Sequence, residues 1–423
     1  MEKILGKLRI VFTDKAIRSK ILFVLGALVF FRLLSAIPIP GIDQMKLQSF
    51  INNNQFVGVL NMFSGGGLSN LSIVMLGVGP YITGSIIMQL LTIMSPRLKA
   101  MYQDEGDLGR KKFSQYSRIL AIPLAVVQGL GLLILLKSQG IVGDLSVIQM
   151  ATNLSVVVAG SILVMWIGEL ISEFGIGNGV SMIIFAGIVA NLPKEIAQLI
   201  FTFNVANLPM YLLFFAIGLL IVAGVVIVTE AERPISVTYA KQVRGDHIAG
   251  GTQTYIPIRI NQAGVIPIIF ALSILMFPQL VGTFLANSAN ATLLSVSHGL
   301  IWFANNTWLY SVCYFLFVFI FTYFYTAVTF DPNQIATNLQ KNGAFVSGIR
   351  PGDATRDYIS KILTRTTTMG AVFLGLIAVF PLIIKSVTGI TAFAVGGTAL
   401  LIVVSVVIDL IKKIEAQISM REY

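Results

Sequence analysis

Apolar runs of near-spanning length recur along this chain, at residues 21–37, 73–94, 119–136, 153–170, 210–229, 264–281, 308–328, 367–384 and 391–408. The hydrocarbon core of a bilayer asks for about 20 apolar residues in a helix, and only helices or closed barrels satisfy the backbone there. Nothing elsewhere offsets the runs, because 56% of the 423 residues are apolar and only 11% are charged. No Pro/Gly/Ser-rich linker interrupts the series, so the chain reads as one integral membrane domain.

A tenth run, VSMIIFAGIVANL at 180–192, has only thirteen residues before Pro193 and Lys194, too few to argue a spanning helix by itself. Charge arbitrates. With ten spans and the N-terminus inside, 24 of the 29 Lys and Arg fall on inside segments; Lys46, Lys137, Lys194 and Lys385 lie outside and Arg32 within the first span. Removing the tenth span divides the basic residues evenly between the two sides and erases the positive-inside bias. Ten spans with both termini cytoplasmic is therefore the expectation. The first apolar run carries Arg32 and ends in IPIPG, without a small-residue cleavage site, so it reads as a retained span. Ile4, Leu5, Leu8, Val11 and Phe12 share one helical face, which suits a segment lying along the cytoplasmic surface.

Ten helices divide into five and five, and an odd number per half permits an inverted-topology repeat. The spans are nearly bare of ionisable groups: Glu169, Glu230 and Asp409 stand at span ends, and Arg32 can snorkel. An ion-coupled small-solute transporter, the rival from another class, normally keeps charges near the midplane. No HExxH, no paired intramembrane aspartates and no serine with a plausible base points to catalysis, and no GxxxxGK[ST] points to nucleotide hydrolysis. His247 and His298 fall on opposite sides of the membrane and cannot share a metal, and Cys313 has no second cysteine to pair with. No enzyme activity and no cofactor are expected.

What remains is aliphatic spans joined by long basic loops. The segment 230–262 alternates apolar and polar residues in ISVTYA and TYIPIRI, the pattern of a short hairpin carrying Lys241, Arg244 and Arg259 outward. The segment 331–366 holds KNGAFVSGIRPGDATRDYISK. Clustered Lys and Arg on inside loops serve topology or lipid contact, or else dock a large acidic or RNA-bearing partner. One stretch fits none of this. FSGGGLSN at 63–70 places three consecutive glycines, poor helix formers, against a hydrophobic span.

Seven stretches together, RLLSAIPIPGI (32–42), NMFSGGGLSNLSIVMLGVGPYITGSIIMQLLT (61–92), ISEFGIGNGVSMIIFAGIVANLP (171–193), YAKQVRG (239–245), NQAGVIPIIFALSILMFP (261–278), NGAFVSGIRPG (342–352) and GGTALLIVV (396–404), closely resemble the bacterial SecY family of protein-translocation channel subunits. The resemblance runs in order over essentially the whole chain. It implies an all-α membrane protein of ten helices in two inverted five-helix halves, a clamshell around an hourglass pore with a lateral gate and a re-entrant plug helix. On this chain it implies an amphipathic N-terminal helix at 1–20, a first half at 21–204, a second half at 205–411 with cytoplasmic loops 230–262 and 331–366, and a tail at 412–423.

By position within the matching motifs, the resemblance implies a pore ring of Val78, Ile82, Ile184, Ile188, Ile269 and Ile402, with Val78 a methylene smaller than the commoner isoleucine. It implies a plug at about 61–72, including Phe63, Ser64, Gly65, Gly66, Gly67, Leu68, Ser69 and Asn70. Thr83 and Gln89 on one side, and Asn261, Ser273 and Phe277 on the other, are implied to line the lateral gate. Lys241, Arg244, Arg259 and Arg350 are implied to belong to a docking surface for the motor ATPase SecA and the ribosome, ribosomal RNA included. The implied partners are completed by SecE and SecG, signal-sequence-bearing polypeptides and membrane lipids, and the implied location is the bacterial inner membrane. Without the motifs, each aliphatic residue of the ring would read as ordinary helix packing.

Overall fold

A computed structural model of the chain describes residues 13–39, 47, 60–61, 64–143, 146–201, 208–239, 242–244, 247–249, 253–286, 290–388 and 392–419. The amphipathic face expected within 1–12, and Phe63 and Lys241, lie outside them. The helices are α1 Lys15–Ser35, α2 Gly79–Met94, α3 Pro96–Gln103, α4 Gly106–Ser138, α5 Val147–Phe174, α6 Gly179–Phe201, α7 Leu208–Glu230, α8 Ile266–Leu285, α9 Ala291–Asn305, α10 Thr307–Thr329, α11 Pro332–Lys341, α12 Asp353–Thr388 and α13 Ala392–Ser419. Each of the ten apolar runs lies on a helix: α1, α2, α4 to α8, α10, α12 and α13. Six helices among the described residues are long and apolar enough to cross a membrane, and Leu212, Phe215 and Leu220 on α7 show the outward apolar surface that lipid rewards.

Local chemistry explains several boundaries. The Asp14 carboxylate caps α1, accepting from the amides of Ala16 and Ile17 at 2.8 and 3.2 Å, and Ser146 and Gln149 form a capping box at the start of α5. The short run at 180–192 does not stop at Pro193; α6 continues through it to Phe201. A proline inside a helix forfeits one backbone bond, which neighbouring groups in a helical membrane protein can make good. The run at 73–94 is helical only from Gly79, because residues 73–78 form turns in which Gly77 takes φ +54°. The segment 331–366 is largely helical, with α11 at its start and α12 opening at Asp353, so Arg356, Lys361 and Arg365 stand on a helix.

The chain separates into two compact units. The first comprises Met1–Ala216, Leu272–Tyr310 and Pro381–Tyr423. Within it α2 packs along α4, α4 along α5 and α5 along α6, while α6 also meets α1 and α13. Glycines make these approaches close: a Cβ on Gly84 would stand 3.0 Å from the Ser117 carbonyl oxygen, and one on Gly179 would stand 2.9 Å from Ile171 Cβ. At one end of this unit Ile17 of α1, Ile176 of the α5–α6 turn and Ile418 of α13 bury one another, flanked by Ile21, Leu410 and Ile414.

The second unit comprises Ile217–Ala271 and Ser311–Phe380. Strand β1 (Glu232–Tyr239) pairs antiparallel with β4 (Gln253–Arg259), in register Glu232 with Arg259 and Ile235 with Ile256. Between them β2 (Gln242–Arg244) and β3 (His247–Ala249) make a hairpin tip in which Arg244 pairs with His247. The alternation in ISVTYA and TYIPIRI is thus a hairpin. A third strand, β5 (Ala344–Val346), joins the other side of β1. The inner face of this sheet, Ile235, Val237, Ile258, Ala344 and Val346, closes on Ile359, Ile362 and Leu363 of α12. Each such aliphatic burial contributes about 1.5–3 kcal/mol, enough to hold a three-stranded sheet on the end of a helix.

Candidate functional site

The glycine stretch is buried and bonded within itself. Ser64 through Leu68 are all buried, as are Leu71 and Ser72. Between Ser64 and Val78 the only helix is the single 3-10 turn Leu68–Asn70, so the expected short helix is mostly turn over the described residues. The reason is local: Gly65 and Gly66 take φ of +63° and +83°, which ends any right-handed helix and suits glycine alone. Small hydroxyls then replace helical bonds. Ser64 Oγ donates to Asn61 O (2.9 Å) and accepts from Leu68 N (3.0 Å); Ser69 Oγ donates to Gly66 O (2.6 Å); Ser72 Oγ donates to Gly67 O (3.0 Å).

Those bonds are internal to the stretch, and few run outward. Asn70 Nδ2 reaches Ser35 O at 3.3 Å. At the root, Ile39 N donates to Leu71 O at 2.9 Å and Ile73 N to Ile37 O at 3.0 Å, around a bridge between Pro38 and Ser72. Leu71 itself holds φ +41°, a left-handed conformation that costs a branched side chain about 1–2 kcal/mol. Beyond the root the turn 73–78 lies on α5. A Cβ on Gly160 would overlap the Ile73 carbonyl, and Ser161 Oγ donates to Gly77 O at 2.8 Å.

A stretch of poor helix formers is not thereby loosely held. Its residues are small, yet they are buried and closely fitted. A Cβ on Gly187 of α6 would overlap Gly65 Cα and stand 2.6 Å from its carbonyl oxygen. A Cβ on Gly65 would run into the Phe31 ring, 2.8 Å from Cε1. Gly66 is flanked by Arg32 Nη1 and by the amide of Asn191, which donates to Gly187 O at 3.2 Å. No carboxylate pairs with Arg32 among the described residues, and its place in the last turn of α1 suits a cation at the helix C-terminus. Phe31, Gly187 and Asn191 escaped the sequence reading; a lone glycine inside the apolar run FAGIVANL was the one available signal.

The six aliphatic residues expected in the ring are all buried. Val78 and Ile82 are one turn apart at the start of α2, where Ile82 N donates to Val78 O at 3.0 Å. Ile184 and Ile188 are likewise one turn apart on α6, with Gly187 between them in sequence, and Ile402 lies on α13, which packs on α6. Ile269 belongs to α8 in the second unit. Of the residues expected at the gate, Thr83 accepts from Gln128 Nε2 of α4 at 3.3 Å, and Gln89 Nε2 donates to Ser85 Oγ at 3.2 Å while its Oε1 is buried without a partner among the described residues. Asn261 Oδ1 is likewise buried and unpartnered, Ser273 is half-buried and Phe277 is exposed.

Of the basic residues, Arg244 lies on the β2–β3 hairpin, and Arg259 and Arg350 lie on or next to the three-stranded sheet of the second unit. Arg259 ends β4 and is exposed; Arg350, also exposed, follows β5, and its carbonyl accepts from Thr355 Oγ1 at 2.8 Å, tying the turn to α12. The sheet's outer face adds exposed Tyr255 and Phe345. One unit therefore brings segments that are far apart in sequence onto one sheet backed by α12.

Comparison with known proteins agrees with this architecture. The family model described as SecY matches residues 72–411. A protein translocase subunit SecY of Streptomyces scabiei is 40% identical over 433 residues, covering 97% of each chain. Its counterpart in Synechocystis sp. is 38% identical over 418 residues, covering 96% of this chain and 93% of that one. Among solved structures, a protein-conducting channel aligns with a TM-score of 0.64 at 19% identity, over 93% of this chain and 91% of that one. Sec61 in a canine ribosome–channel complex gives 0.60 at 18% identity with the same coverage. The likeness to these structures is one of fold.

Proposed function

The chain belongs to the SecY family, and on that premise we propose that it is the pore-forming subunit of the bacterial protein-conducting channel. It passes unfolded secretory polypeptides across the inner membrane and releases apolar segments sideways into lipid. The observation that carries this reading is the match with translocase subunits over 96% and 97% of the chain. It is a channel subunit and not an enzyme.

The geometry suits the task. Val78, Ile82, Ile184, Ile188, Ile269 and Ile402 form the collar, whose apolar walls cannot replace an ion's hydration shell and so hold back ions by dewetting. Aliphatic walls ask for no particular hydrogen-bond partner, so a polypeptide of any sequence can pass. The stretch 61–72 is the plug. Because its hydroxyl bonds close on its own carbonyls, it can leave as a unit, breaking few bonds and turning about the root at Leu71–Ile73. Thr83, Gln89, Asn261, Ser273 and Phe277 line the lateral gate; the unpartnered carbonyls of Gln89 and Asn261 are ready acceptors for an arriving segment.

Both termini face the cytoplasm. Support comes from Ile17 and Ile418, which meet at one end of the first unit, as an even number of spans requires. SecE and SecG complete the channel. Lys241, Arg244, Arg259 and Arg350 dock SecA and the ribosome, in keeping with the ribosome–channel complex of the Sec61 fold neighbour. Energy comes from those partners. The small-solute transporter reading loses ground, since no ionisable pair occupies the middle of a described span. Depletion of the protein tests the proposal: presecretory proteins should accumulate unprocessed in the cytoplasm, and normal export would refute it.

A further inference from the structure

We propose that Gly187, with Phe31, Arg32 and Asn191, is the seat that receives the glycine turn of the plug, an inference that rests on reading 61–72 as a plug. The turn is held by fit. Gly65 lies with its backbone flush against Gly187 on α6 and against the Phe31 ring on α1, and Gly66 sits between the Arg32 guanidinium and the Asn191 amide. No hydrogen bond fixes Gly65 or Gly66 to α6 among the described residues; the only side-chain bond at Asn191 returns to its own helix. Contacts of this kind fall away within a fraction of an ångström, so a seat built from them tolerates no added methyl.

The glycine at 187 has no local reason to be there. It lies inside α6, where alanine is the better helix former by about 1 kcal/mol. What alanine cannot do is admit Gly65, since its Cβ would overlap that residue's backbone. Stability of the helix and occupancy of the seat therefore respond to Gly187→Ala in opposite directions. The seat also shares its helix with Ile184 and Ile188, so a displacement of α6 moves the plug's support and the collar together.

The test uses the full channel complex in proteoliposomes, with resting ion leak as the readout. Gly187→Ala should raise the leak at least about tenfold, the effect of a modest overpacking cost on a seated-to-displaced equilibrium. Asn191→Ala should give a smaller rise, about two- to fivefold, because its side-chain bond is local and the fold does not need it. Gly26→Ala is the control, since nothing lies within 4 Å of a Cβ there. A chain lacking 61–72 should leak, and Gly187→Ala should add nothing to that leak. If the shortened chain leaks while Gly187→Ala and Asn191→Ala stay tight, the seat is overturned and the plug stands. If the shortened chain is tight, the plug reading itself falls, and the seat with it. If Gly187→Ala adds to the leak of the shortened chain, its effect arises elsewhere and the seat is again overturned. Should Gly187→Ala not assemble, Asn191→Ala decides.

Discussion

Arg118 on α4 donates from its guanidinium Nε to the carboxylate of Glu169 on α5, a bond that joins two helices of the first unit. Close by, Tyr81 of α2 stands beside Ser114 of α4, so three helices meet near the pair. The pair is intermediate between surface and interior, with side chains 40% and 18% exposed. Removing one partner, as in Arg118→Ala, should cost about 1–2 kcal/mol, more than a surface pair and less than a fully buried one. Thermal unfolding of the purified protein in detergent measures the loss, and recovery in the Arg118→Glu, Glu169→Arg double variant attributes it to the pair.

Leucine at Gly65, Gly66 or Gly67 is expected to change gating more than folding, and by two routes. At Gly65 and Gly66 the added side chain meets the seat, Phe31 in one case and Arg32 with Asn191 in the other, at positive φ. At Gly67 a Cβ would stand 2.9 Å from both Ser72 Oγ and Val74 O, so the injury is to the plug's own turn. Single-channel recordings should show a raised open probability in all three; unchanged conductance and export throughout would refute the expectation.

Hydrophilic substitution in the collar should show itself only when the plug is away. Ile188→Ser removes an apolar wall that resists wetting. In a chain lacking 61–72 it should raise the ion current severalfold, while the same substitution with the plug present changes the leak little. Planar-bilayer recordings in the two backgrounds separate the two barriers.

Charge reversal on the platform should affect binding and spare the fold. Arg259 and Arg350 are exposed and their side chains make no salt bridge among the described residues. Arg259→Glu with Arg350→Glu should slow association with SecA or ribosomes about tenfold at low ionic strength and much less at high salt. Binding kinetics across a salt series check this, with unchanged thermal unfolding as the companion measurement.

Truncating the platform core should do the reverse. Ile258 is fully buried between the sheet and α12, so Ile258→Ala should cost about 2–5 kcal/mol of local stability. Limited proteolysis between α7 and α8 should speed up while the helices stay protected.

The sequence carried different features unequally. Apolar length located nine of the ten helices in the runs, the charge bias added α6, and the alternation Ile235, Val237 and Ile256, Ile258 announced the hairpin, because periodicity is a local signal. Strand β5 was missed, since three residues between turns leave no period to read. The helical start of α12 was missed because DATRDYISK is polar, and a polar helix beyond the membrane resembles a loop when hydropathy is the guide. The α2 boundary slipped because the turns at 73–78 are as apolar as the helix that follows. The candidate collar and plug came from motif resemblance alone, as one aliphatic residue in a span looks like the next. The fit of Gly65 against Gly187 leaves only a lone helix glycine as its trace in sequence, because it depends on the absence of two side chains on segments that only folding brings together.

The isoleucine cluster at Ile17, Ile176 and Ile418 has a consequence for how the molecule is made. Its three walls are far apart along a chain synthesised from the N-terminus onward. Ile17 is fully covered only once Ile418, far downstream of Ile176, has been translated. Closure of that cluster is a late event in biogenesis, and a nascent channel stopped short of α13 has α1 packed on α5 and α6 but lacks the third wall at Ile418.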